Sequence, residues 1–382
     1  MSVQPINIAQ PRLNLLQRSE GWLHSPLLDF LGLGGGSMIA LLVIALVFDP
    51  DAAYPAFTAA GLALTLIINH PHFAHSYQIF YANFSDKLSG RGYASGLRAR
   101  YWFAGVIAPT LLVLGVLGSF ATKNAAVMGA LINLMFFMVG WHYVKQGYGM
   151  AMLDAAIKRR FFSNLEKRIL LINAYATWAF SWCYIGRVLE ERKYYGFEAP
   201  LITAPEVIFF TSAVIAIGTF LALTASLVYR LAVQRKTLPW NGLFAYGISL
   251  YPWLLFREVN PLFFILVPAF HSLQYMTVVW RYKLNELETK RPETEKKSRF
   301  GFLRFYGVAV LLGFFGFYGA PIILTTTFNT EQSFFGAGIY FLMFSLFINV
   351  HHYLLDNVMW RKGNPDVAER LFSAPHTNHQ SA

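Results

Sequence analysis

Ten stretches of this sequence are apolar over lengths that can cross a bilayer, at roughly 27–48, 55–83, 102–120, 125–150, 169–188, 206–229, 240–256, 260–282, 303–325 and 334–360. A spanning helix needs about 20 mainly apolar residues. In hydrocarbon every backbone polar group must be satisfied within the protein. The runs therefore predict an all-α, polytopic membrane helix bundle of about ten transmembrane helices. Nine is the fallback, because 240–256 is short and 55–83 is polar at its end. The expected organisation is an N-terminal arm (1–26), one transmembrane domain (27–360) and a tail (361–382). Composition agrees: of 382 residues, 55% are hydrophobic and only 13% charged. Soluble domains carry about 25% charged residues, so a water-soluble enzyme, a disordered chain and a secreted disulfide scaffold are all excluded. Cys183 is the only cysteine, which rules out an intrachain disulfide, a thiolate zinc site and an iron–sulfur cluster.

Charge placement tests the span count. With the N-terminus in the cytoplasm, only Lys123, Arg187, Arg192, Lys193 and Arg257 fall in outer loops. Lys145 lies inside span four, and the rest of the 31 Lys and Arg fall on the inner side. That is the bias of the positive-inside rule. The net charge of +11 is therefore topology and contact with anionic lipid, not a nucleic-acid footprint. The expected location is a bacterial inner membrane with both termini cytoplasmic. Around Leu13–Leu16, with Trp22 and Leu23, the arm reads as a segment lying on the membrane surface. With no short apolar core followed by a cleavage site, the arm is not expected to be a signal peptide. The run 283–299 reads as a solvated connection. Gly34–Gly36 reads as close helix packing, and the His376/His379 pair as a free tail.

Seven of the ten histidines lie in spans two, four, eight and ten, in NHPHFAHSYQ, WHYVKQGYG, PAFHSLQYM and NVHHYLLDN. None lies in an odd-numbered span, so all seven sit on helices running from outside to inside. The first inner cations follow at comparable intervals: Lys87 after His75, Lys158 after His142, Arg281 after His271, Arg361 after His352. At 1.5 Å per residue the imidazoles share one layer in the cytoplasmic half of the membrane. Ionisable groups at such depth face the bundle interior and mark function. A shared cation satisfies several imidazoles at once, and His-rich donors with one carboxylate suit Fe, Zn, Cu or Ni rather than Mg or Ca. The expected metal ligands are His72, His75, His142, His271, His351 and His352, around one or two irons. Pro71 distorts the turn that holds His70. Asp356, four residues after His352, is either a ligand or an acceptor that orients a ligand. Gln146 and Gln274 are expected to orient ligating rings through their second nitrogens. Tyr275 is the expected donor of a proton or hydrogen bond. Lys145 either snorkels to the inner surface or holds an anion or a substrate group. There is no HExxH and no HxxxH or HxxHH box.

The stretches His271-Ser272-Leu273-Gln274-Tyr275 and His351-His352-Tyr353-Leu354-Leu355-Asp356 resemble those of the Brp/Blh-type membrane β-carotene 15,15′-dioxygenases. The likeness implies a histidine-ligated non-haem iron enzyme that uses dioxygen as co-substrate, with His271 and His352 among its ligands. It covers about a quarter of the chain, and NHPHFAHSY lacks the acidic residue of that family's early PHGxxD pattern. The expected function is a membrane-embedded iron-dependent oxygenase acting on a lipophilic substrate, either a carotenoid, another isoprenoid or an acyl lipid. Its partners are membrane lipid and an electron donor, with no nucleic acid. Two alternatives stand beside it: a bis-His haem electron-transfer protein, and a transporter using the histidines and Asp356 as a proton relay.

Overall fold

The computed structural model describes residues 21–90, 92–188, 193–198, 202–255, 259–290, 295–328, 333–361 and 363–372. The arm as far as Glu20, the His376/His379 pair and the middle of the charge run at 291–294 lie outside them. The described chain is a helix bundle. Its helices are α1 Pro26–Leu33, α2 Gly35–Val47, α3 Pro50–Phe80, α4 Phe84–Ser89, α5 Ser95–Ala121, α6 Ala125–Ile157, α7 Asn164–Val188, α8 Glu206–Ala232, α9 Trp240–Leu250, α10 Pro252–Leu255, α11 Leu262–Lys290, α12 Arg299–Thr327 and α13 Ile339–Met359. A short helical segment follows at Pro365–Phe372. The only strands among the described residues, β1 Lys193–Tyr194 and β2 Phe197–Glu198, form an antiparallel hairpin turned at Tyr195 and Gly196, both at positive φ.

Local chemistry sets the helix starts. Asp49 caps Ala52 with Pro50 next in line, and Asn124 caps Val127. Ser163 and Glu166 form a reciprocal capping box at the start of α7. Inside the helices, three π-helical turns, Thr65–Asn69, Phe103–Ile107 and Phe315–Gly319, each end two residues before a proline: Pro71, Pro109 and Pro321. A proline removes one N–H and crowds the carbonyl four residues back, and a widened turn absorbs both effects. Two of the freed carbonyls find tyrosines. Tyr306 donates to the Ile67 oxygen at 2.6 Å, and Tyr81 to the Gly105 oxygen at 2.9 Å.

Among the described residues eight helices are long and apolar enough to cross a membrane, and the α1–α2 pair, bent by 55°, makes a ninth where it is counted as one span. The expected seventh span differs. Pro252 breaks it into α9 and α10, and α9, with 11 residues, is only about 16 Å long. It is also largely buried. The two fragments still carry the chain across the bundle. Gly242 packs on Ala151 and Asp154 near one end of α6, Trp253 packs on Tyr143, and Asn260 donates to the Ile44 and Phe48 carbonyls at the far end of α2. Directional alternation therefore survives the shorter helices.

The outside of the bundle is apolar. On α8 the buried residues are Ser212, Ala216, Leu223 and Arg230, a narrow stripe against α7, while Phe210, Val214 and Leu221 are exposed. In water such a surface would aggregate; in lipid it is the expected face. The centre belongs to α11 and α13, whose most apolar windows are 78% and 61% buried, against 6% for α3. The expected close packing at Gly34–Gly36 is present: a Cβ on Gly34 would lie 2.7 Å from the Ala245 backbone nitrogen. The surface-lying expectation fails for Leu23. That side chain is buried in the core, and Asp29 accepts the backbone N–H groups of Leu23 and His24.

The basic segments gather at one end. Arg230 donates to the Phe161 carbonyl, Arg160 to the Leu238 carbonyl, Lys87 lies 3.8 Å from Asp366, Arg370 bonds Tyr282, and His24 meets the Thr277 carbonyl. The hairpin marks the opposite end, where Tyr194 meets Ser345 and Phe197 packs on Phe335.

Candidate metal centre

Four helices bring their histidines together, and the pairings fix their directions. His72 and Ser76 of α3 face His352 and Asp356 of α13; His142 and Gln146 of α6 face His271 and Gln274 of α11. In each pair the later residue meets the later residue, and His72 and Ser76 likewise meet His271 and Tyr275 of α11, so all four helices run the same way. That is the arrangement expected from placing the histidines on alternate spans.

His72, His142, His271, His352 and Asp356 meet at the centre, none of them more than 5% exposed. Their donor atoms form two groups, each within 4.8 Å: His72 with His142 and His271, and His142 with His352 and Asp356. The Nε2 atoms of His142 and His271 are 3.1 Å apart. Asp356 Oδ2 lies 3.6 Å from His352 Nε2 and 3.9 Å from His142 Nε2. Metal–nitrogen bonds run to about 2.1 Å, so donors around one ion stand roughly 3–4 Å apart. Buried polar atoms normally have partners. Here His72 Nε2, both nitrogens of His352 and Asp356 Oδ2 have no hydrogen-bond partner among the described residues. Leaving each unmade costs about 1–3 kcal/mol, and one cation would satisfy several together. The residues present thus fit a metal ion.

The surroundings aim these atoms. His72 Nδ1 lies 3.0 Å from the Asn69 carbonyl, which can only accept, so Nδ1 carries the proton and Nε2 offers its lone pair. Ser272 braces the same ring, bonding Asn69 Oδ1 at 2.7 Å and contacting His72 Nδ1 at 3.2 Å. Asp356 Oδ1 accepts from Ser76 at 2.9 Å and Tyr275 at 3.1 Å, which leaves Oδ2 to face the imidazoles. His271 stacks on Tyr143 and His142 on Tyr353.

Two expected ligands are elsewhere. His75 bonds Gln78 and stacks on Phe305. His351 is fully used: Tyr77 bonds its Nδ1, and its Nε2 donates to the Ala104 carbonyl. The reason is helical rotation of 100° per residue. Ser76 and Asp356, four residues after His72 and His352, stay on the central face, while His75 turns toward α12 and His351 toward α5. His70 stacks on Phe317, outside the centre. The glutamines do not orient rings either. Gln146 donates to the His271 carbonyl and to Gln274, and Gln274 donates to the Ala245 carbonyl, so they tie α6, α11 and α9 together. Asn69, Ser76 and Ser272 do the positioning. Only the serines' place beside or one turn from a histidine could have marked them in sequence. Replacing Ser272 by alanine is expected to weaken metal binding about tenfold with the fold intact, as read by competition with a chelator.

A cavity of about 1080 Å³ reaches the centre, touching His142, Asp356 and Tyr275 at its inner end and Phe161, Lys167 and Leu371 near the basic end. No protein-family model, curated protein or solved structure matches this chain.

Proposed function

We propose that the protein is a membrane-embedded, histidine-ligated iron oxygenase acting on a lipophilic substrate, in a membrane whose cytoplasmic face meets the basic end. One observation carries the reading: four parallel helices converge four buried imidazoles and one carboxylate, with unpartnered donor atoms, beside a large, mainly apolar cavity. His72, His142, His271, His352 and Asp356 would hold one iron. His142 belongs to both donor groups, and an imidazole nitrogen has a single lone pair, which favours one ion over two. Iron there supplies the dioxygen chemistry that side chains lack.

The chain's own residues do the rest. Asn69 and Ser272 hold the His72 ring, while Ser76 and Tyr275 hold Asp356. Tyr275 also lines the cavity, and its one hydroxyl proton is committed to Asp356, so it braces that carboxylate beside a bound substrate. The substrate approaches from the side of His142, Asp356 and Tyr275. The stretches that resemble the carotene dioxygenases contribute His271, His352 and Asp356, in keeping with this reading. The His142 ring packs edge-on against those of His271 and His352 at 4.9 Å, which favours a non-haem ion over a macrocycle between them.

Elemental analysis of detergent-purified protein, prepared without chelator, tests the proposal. One iron per chain is expected. Zinc alone, or no stoichiometric metal in folded protein, would overturn it.

A further inference from the structure

The wall of the cavity is chemically uneven. Between the metal centre and the basic end it carries four cations: Arg100, Lys145, Lys167 and Arg361. Among the described residues none of the four is ion-paired with a carboxylate. Among the described residues the one carboxylate on the wall is Asp356, already held by Ser76 and Tyr275. Lys145 is half-buried, with its ammonium 5.9 Å from the centre of the Trp141 ring. Arg361 uses Nε on the Asn357 carbonyl, which leaves its terminal nitrogens for another partner. It lies within electrostatic reach of both Lys145 and Arg100, so like charges are gathered with no carboxylate paired to them among the described residues. Lys145 follows His142 by one turn of the same helix, a rise of about 4.5 Å. That ammonium's helix position therefore stands one turn from a donor. Arg100 is exposed and the other three are partly buried; like charges gathered along an apolar cavity repel one another, and an anion joining them relieves that repulsion. A hydrocarbon substrate offers none.

We propose that the cavity binds an amphiphile with one anionic head group, a carboxylate or a phosphate, held by Lys145, Arg100 and Arg361, with its apolar chain against His142 and Asp356. The inference rests on the oxygenase reading for the fate of that chain, but the binding itself needs no metal. It narrows the substrate to an acidic lipid rather than a carotenoid or neutral isoprenoid, and it puts the reacting carbon near the head-group end.

The test is retention of tritiated palmitate by the full-length protein in detergent, with unlabelled competitors and iron content measured on the same samples. Palmitate, hexadecyl phosphate and lysophosphatidate are expected to compete at least tenfold better than hexadecanol. The Lys145→Met/Arg361→Gln double variant should lose that preference while keeping its iron, and Lys145→Arg should retain it. If the double variant does not fold, Lys145→Met alone carries the comparison. Equal competition by hexadecanol, or a preference that survives in the folded Met variant, would overturn the proposal. Stronger competition by lysophosphatidate than by palmitate would assign the head group to a phospholipid, and the reverse to a free acid. Protein without iron that still prefers the anions would sink the oxygenase reading and leave this site standing. Iron-loaded protein without the preference would do the opposite.

Discussion

Replacing His142 by alanine is expected to remove at least nine-tenths of the bound metal, while replacing His351 removes none. His142 is the one residue common to both donor groups, so its loss leaves His72 with His271 and His352 with Asp356 as separate pairs. Its nitrogen is also the contact that brings His271 to 3.1 Å. His351 lies beside His352 in sequence and is equally buried, but both its nitrogens are already bonded to Tyr77 and Ala104. Its removal strands those two partners and should cost about 1–3 kcal/mol of stability with the metal retained. Metal content and thermal stability of the two variants, measured side by side, separate a ligand from a structural histidine. Equal metal loss from both would mean that the centre fails through general loosening, and the assignment of ligands would fall.

Asp356→Asn is expected to act with opposite signs on the two forms of the protein. In the metal-free form the buried Oδ2 faces imidazoles without a partner. An uncompensated buried charge is costly, and an amide of the same shape can donate toward His352 Nε2. The metal-free variant should therefore be as stable as the parent or more so, by up to about 2 kcal/mol. Metal affinity should fall by about 100-fold, because one charged donor is lost. A ligand at 100 times its dissociation constant stabilises a fold by about 2.7 kcal/mol, so the rise in melting temperature on adding ferrous iron should largely vanish in the variant. If that rise is the same in both proteins, Asp356 only braces Ser76 and Tyr275 and is not a ligand.

Much of this arrangement is legible in the sequence, and the places where it is not are instructive. Pro71 marks a distorted turn in the sequence, yet only the structure shows that Tyr306 takes up the Ile67 carbonyl it frees. Asp356 carries the spacing of a partner for His352, but spacing alone does not say whether it ligates or orients. The answer lies in Ser76 and Tyr275, which arrive from two other helices to occupy its other oxygen. The glutamines looked like ring-orienting groups because they share a face with His142 and His271. Their actual partners are backbone carbonyls, the Ser249 hydroxyl and each other, which no single-helix pattern reveals.

The sequence by itself determined that the chain is a bundle of long apolar helices and that its buried histidines lie on helices of one direction at one depth. Both depend on properties read along one dimension: the length of an apolar run, and the alternation of basic with less basic loops. The tertiary structure alone decided which imidazoles meet. Adjacent residues on a helix point about 100° apart, so His351 and His352, equal in sequence context, face different neighbours. The rotation of each helix is set by everything packed around it: Phe305 against His75, Ala104 against His351, and Asn69 with Ser272 behind His72.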